Sequence, residues 1–362
     1  MKLRPKWLPG AAALGVLANA LYADDASAHV KWFCAFDVAG QPRNLENVLC
    51  ANFELLVGIA MLTLLLGCVV DRSSISEGIH RALDRVLDPV QANTELMFRA
   101  GCAFFFIAIW ATGGILLTPE LKTSSTAVGF LHLAIAAGML SRKTMPFSAL
   151  GIAVVFMIAI VQYGAFHLAD YPVFLGVAAY LALVAAQSQF FGMRPLDVVR
   201  WAAAITLMWA SIEKWAYPQW SFPLIQDNPK MTLGYDPEFF MQAAGVIEFT
   251  LAFALIWTPL VRRAAAIALA AAFVAAIAQF GKLDAIGHAL IIVVLLAIAA
   301  DNVRVPEQQQ RWNALLAPAA YCVALGHPAY GEVGHPGDRW VALIGAAQAH
   351  DPAIRGFVGR PA

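Results

Sequence analysis

Long runs of residues with almost no charge return again and again along this chain, and they limit its fold more than any other feature. They fall at 52–70, 100–118, 126–141, 145–166, 172–190, 196–216, 239–259, 264–280 and 284–300. A bilayer core about 30 Å thick is crossed by roughly 20 apolar residues in a helix. Lipid offers no partner to a backbone amide, so an open sheet is excluded there. Nine such runs predict an all-α polytopic membrane protein whose first partner is the lipid bilayer. Composition agrees, with 60% hydrophobic and only 13% charged residues against about 25% charged in a soluble domain. Lys and Arg equal Asp and Glu at 24 each, so no basic surface points to nucleic acid.

Basic residues orient the runs. Arg72, Arg81, Arg85 and Arg99 lie between runs one and two, and Arg142 and Lys143 between three and four. Arg194 and Arg200 lie between five and six, Arg262 and Arg263 between seven and eight, and Arg304 and Arg311 after the ninth. Every second connection is therefore basic, as cytoplasmic loops are. This places the chain in a bacterial inner membrane with its N-terminus outside and its C-terminus in the cytoplasm. An independent clue agrees. Lys2, Arg4 and Lys6 precede a short apolar stretch and Ala26-Ser27-Ala28, the pattern of a signal peptide cleaved after residue 28. Residues 29–51 then form an extracytoplasmic segment. Residues 71–95 form an amphipathic linker, with Ile75, Ile79, Leu83, Val86 and Leu87 against Arg81, Asp84 and Arg85, and 302–362 a cytoplasmic tail.

The middle of the chain repeats itself. Gly129-Phe130-Leu131-His132 opens a run ending at Arg142-Lys143, and Gly245-Val246-Ile247-Glu248 opens one ending at Arg262-Arg263. Ile160-Val161-Gln162-Tyr163-Gly164 is answered by Ile277-Ala278-Gln279-Phe280-Gly281, Arg99 by Arg200, and Pro119 by Pro218. The expectation is two parallel four-helix units, 96–190 and 191–301, related by an axis along the membrane normal. The helix at 52–70 stands outside them.

The second unit has an Arg opening its first helix, Glu213-Lys214-Trp215 ending it, a proline-rich outer loop, then Gly245-x-x-Glu248 and Arg262-Arg263-Ala264-Ala265. In this it resembles the DoxX-like family of four-helix membrane proteins, which includes the small subunit of thiosulfate:quinone oxidoreductase. The resemblance covers 196–300 well and 96–190 more loosely. It implies one helical bundle per unit and an association with membrane redox chemistry and quinones, as subunit or accessory of a quinone-linked oxidoreductase. The first unit departs from it. His132 stands where Glu248 stands, and Gly113 or Gly114 near the Lys214 position.

Ionisable groups inside lipid are costly, and they mark sites or structural pairs. Glu248 lies roughly 13 Å below Phe239 at 1.5 Å per residue, with Lys214, Glu213, His132 and His288 as candidate partners; Glu248, Lys214 and Glu213 are the catalytic candidates. His132, His167 and His288 all fall in the outer halves of their runs. With His29, whose amine and imidazole would chelate copper after cleavage, they are candidate metal ligands. Each histidine also has a plainer reading as a hydrogen-bonded structural residue. Cys34 and Cys50 are expected to pair in an oxidising compartment. Three functions follow: quinone-linked redox work, copper binding or delivery with metal-handling partners, and small-solute transport. No P-loop, GxSxG or HExxH is present to suggest nucleotide-driven or hydrolytic chemistry.

Overall fold

The computed structural model describes residues 42–304, 320–322 and 324–325, and among them it is helical throughout, without strands. The expected signal peptide, His29 and Cys34 lie outside the described residues. The longer helices are α1 (Ala51–Asp71), α2 (Ser74–Ala92), α3 (Thr94–Thr112), α4 (Thr126–Gly138) and α5 (Met145–Tyr163). They continue with α6 (Pro172–Ala186), α7 (Pro195–Ala216), α8 (Pro237–Ala254), α9 (Pro259–Phe280) and α10 (Lys282–Ala300). Proline opens four of them, where its missing N–H costs no bond. Asp236 caps α8 by accepting from Phe239 N at 3.0 Å, as an N-cap carboxylate does.

Each apolar run overlaps a helix. Among the described residues five helices are long and apolar enough to cross a membrane: α1, α3, α5, α9 and α10. Others depart from the expected bounds. The run read as 100–118 is helical only to Thr112. Beyond it, residues 113–125 fold back as a hairpin, with Leu116 N donating to Leu121 O at 2.6 Å and Thr123 N to Gly114 O at 2.9 Å. Leu116, Leu117 and Leu121 of that hairpin are fully buried. Apolarity alone does not separate a span from such a plug. α4 and α6 stop at 13 and 15 residues, roughly 20 Å and 22 Å of helix.

Arginines gather at one end of the bundle. Arg99 Nε donates to Met139 O at 2.7 Å, Arg142 Nη2 to Val184 O at 2.9 Å and Arg263 Nε to Ala299 O at 2.8 Å. Each satisfies carbonyls left open at the C-terminus of a neighbouring helix. Arg194 bridges Asp197 and Asp301 at 2.7 Å and 2.9 Å. Burial pushes the Asp301 carboxyl up, but Arg194, Arg262 and Arg200 outweigh it and hold the group below the usual carboxylate range.

α3–α6 form one set of four consecutive helices and α7–α10 another. α5 and α9 both end in an aromatic residue followed by glycine, with Gly164 N on Ile160 O and Gly281 N on Ile277 O, each at 2.8 Å. The two glycines have φ of 87° and 82°, a conformation that residues with a Cβ adopt poorly. Arg142 and Arg263 each reach the last turn of the fourth helix. Where the sets meet, Thr206 Oγ1 of α7 accepts from Val173 N of α6 at 2.9 Å.

α2 reverses part of the expected polarity. Ile75, Ile79 and Val86 point away from the protein, while Ser76 and His80 are buried. His80 Nε2 lies 3.4 Å from Asp71 Oδ1, and Arg263 Nη1 donates to His80 Nδ1 at 3.2 Å and to Asp84 at 2.6 Å. Burial, followed by the charge of Arg304, lowers the His80 pKa. The tail is also not wholly free. Tyr321 is fully buried, sharing a hydrogen bond of 2.8 Å with Thr250 Oγ1 and packing edge-on against Phe249 and Phe253.

Candidate functional site

The end opposite the arginines carries the expected catalytic residues. Gly245 sets the crossing of α7 with α8: a Cβ there would stand 2.6 Å from Trp215 Cε3 and 3.1 Å from Ser211 O. Only a glycine permits that approach. Side chains lean towards the N-terminus of their own helix, so in antiparallel α7 and α8 Lys214 and Glu248 lean towards each other. Lys214 Nζ meets Glu248 Oε2 at 2.6 Å and also donates to Ala210 O at 3.3 Å. The corresponding crossing in the first set is looser, with the Gly129 position 3.4 Å from Trp110 Cδ1. Matching Trp110 with Trp215 sets Ile109, not Gly113 or Gly114, at the Lys214 position.

Lys214 and Glu213 both face a cavity of about 110 Å³. Its wall is shared by Tyr171, Val173 and Phe174 of the first set and by Thr206, Leu207, Phe273, His288 and Ile291 of the second. Thr118 comes from the buried hairpin, Asp170 from the turn before α6, and Trp220 and Ser221 from the loop after α7. That loop therefore covers the cavity above Lys214. Trp220 is itself fixed by stacking on Tyr217 at 4.1 Å. The walls are mainly apolar with a few converging polar groups, the usual make-up of a small-molecule site.

The three expected membrane histidines are not brought together. His132 Nε2–H donates to Leu116 O at 2.9 Å, pinning the hairpin. His167 Nε2 meets Glu120 Oε1 at 2.8 Å, and His288 Nδ1 meets Asp284 Oδ2 at 2.9 Å while stacking on Phe273 at 4.5 Å. Among the described residues no group of three His, Cys, Asp or Glu side chains is placed to hold a metal. Each of these rings is engaged by its own partner. His288 alone reaches the cavity. Cys50 Sγ lies 3.5 Å from Gln242 Oε1, and its expected partner Cys34 lies outside the described residues. Cys68 and Cys102 are buried free thiols.

The sequence did not single out Glu120, Tyr171 or Asp284. Glu120 Oε1 accepts from both His167 and the Tyr171 hydroxyl. A carboxylate inside the apolar stretch Ile115–Leu121 was the available signal, as was the i,i+4 spacing of Asp284 and His288. Compared with known proteins, the chain matches no family model, no curated protein and no solved structure. What fold and site define is a class: an all-helical bundle, rich in apolar helices, with a mainly apolar cavity at one end.

Proposed function

We propose that this chain is a polytopic inner-membrane protein whose cavity takes the head group of a quinone-type carrier on the extracytoplasmic side. One observation carries the reading: an apolar, aromatic-walled cavity into which Lys214, His288 and Tyr171 converge. Phe174, Trp220 and Phe273 suit a flat ring. The Lys214 ammonium would favour charge growing on a ring oxygen, and His288, held by Asp284, would exchange a proton with it. Electrons would come from a partner oxidoreductase, the role implied by the DoxX-like resemblance. The nine apolar helices would cross the bilayer as two parallel four-helix units beside α1, with the arginine end in the cytoplasm. The Lys214–Glu248 pair would allow two charges to persist within lipid.

The test is a titration of full-length protein in detergent with a short-chain quinone, followed by tryptophan fluorescence. The expected result is saturable quenching, reduced in Trp220→Phe, with His288→Leu binding about tenfold more weakly, or about 1.4 kcal/mol. Unsaturable quenching, identical in the variants, sinks the reading. Solute transport is the second reading, favoured by the cavity lying between the two units. Uptake by proteoliposomes without quinone binding would select it. The copper reading draws no donor cluster from the described residues.

A further inference from the structure

Hydrogen-bond direction at the edge of the cavity says which form of such a carrier fits. Glu120 is nearly enclosed, with its side chain 4% exposed, on a hairpin whose leucines are fully buried. A carboxylate can only accept. Its Oε1 takes His167 Nε2–H at 2.8 Å and also the Tyr171 hydroxyl. Tyr171 has one proton to donate, and Glu120 holds it. What Tyr171 offers the cavity is therefore an oxygen lone pair. Thr118 sits on the same hairpin, lines the cavity and hydrogen-bonds the Tyr171 hydroxyl group. With the Tyr171 proton on Glu120, that bond runs from Thr118 to Tyr171, so Thr118 too offers the cavity a lone pair.

We propose that Tyr171, with Glu120 and His167 behind it, makes this cavity selective for a ligand that donates O–H. For a quinone-type carrier that is the reduced, dihydroxy form. The inference rests on the cavity being the carrier site, and it concerns binding alone. Thr118 and Tyr171 accept from the ring hydroxyl. Glu120 is a positioning residue, since it acts through the direction it imposes on Tyr171. A quinone carbonyl brought to the same point would face another acceptor and leave both unpaired, the kind of mismatch that sites reject strongly.

The experiment measures binding of a short-chain quinone and its dihydroxy form to the full-length protein, anaerobically, by calorimetry. The expected result is at least tenfold tighter binding of the reduced form, with the ratio falling towards one in Tyr171→Phe. Glu120→Gln supplies the sharper readout. With its amide N–H₂ at the Oε1 position and His167 shifted to its Nδ1–H tautomer, it can donate to the Tyr171 oxygen and free the hydroxyl to point into the cavity, so the preference should shrink or invert while total affinity persists. Equal or tighter binding of the oxidised form by the wild type overturns the selectivity and leaves the cavity reading standing. Saturable binding of neither form overturns both. If Glu120→Gln does not fold, an unchanged ratio in Tyr171→Phe is by itself sufficient to refute the proposal.

Discussion

Where α4 approaches the end of α3, His132 gives its Nε2 proton to a backbone carbonyl of the hairpin. Where α8 crosses α7, Glu248 holds the Lys214 ammonium. The two crossings share a glycine facing a tryptophan, but the second is tighter by 0.8 Å at the glycine Cβ position, 2.6 Å against 3.4 Å. The first set uses its polar residue to tie down a buried loop, and the second places a charge pair beside a cavity. One helical plan thus supports a structural use of a polar position and a chemical one. The local neighbour decides which.

The largest test of this contrast is at the arginine end. Arg263 is fully buried and serves Asp84, His80 and Ala299, whereas the Arg142 side chain is 46% exposed. Arg263→Gln should cost about 3 kcal/mol or more in unfolding free energy by leaving buried partners unmatched. Arg142→Gln should stay within about 0.5 kcal/mol. Equal losses would erase the distinction.

Next in size is Gly245→Ala, which forces atoms apart at the crossing and should cost about 2 kcal/mol. Gly129→Ala meets only ordinary contact and should change the melting temperature little. Smaller again, Lys214→Met and Glu248→Gln should each cost about 1 kcal/mol, with the double variant losing less than the sum. Additive losses would mean that the pair is not coupled.

The smallest effect is with pH. The folded-state pKa of His80 is depressed, so its contribution is complete above the unfolded value, about 6.5, and is lost as pH falls through the lower folded value. Hydrogen exchange at the α9 and α10 ends contacting His80 should rise between about pH 7 and 5 beyond its intrinsic change, and His80→Gln should remove that rise. The α5 and α6 ends near Arg142, which lack a comparable imidazole, should change less.

Much of this fold was legible in the sequence because apolar runs and basic connections are averages over many residues. The positions of α1, α5, α7 and α10 came within a few residues of their runs. Lys214 was one of four partners open to Glu248, and the fold selects it. What failed turned on single contacts. Ile115-Leu116-Leu117 reads the same whether it extends α3 or plugs the bundle. Ser76 and His80 look solvent-facing until Asp71 and Arg263 arrive from distant parts of the chain. Glu120 gains meaning only when the hairpin brings it to His167 and Tyr171, 47 and 51 residues away.

A single residue, Gly281, separates α9 from α10, and its amide is tied to the preceding turn. Phe273 and His288 therefore ride on one stiff arm with no slack at its elbow. A guest too large for the present chamber has to be accommodated by the opposite wall, where α6 and α7 are joined by the eight residues 187–194 and the Trp220 cover is short and irregular. The yielding side of the molecule is thus set by where the chain was given spare length.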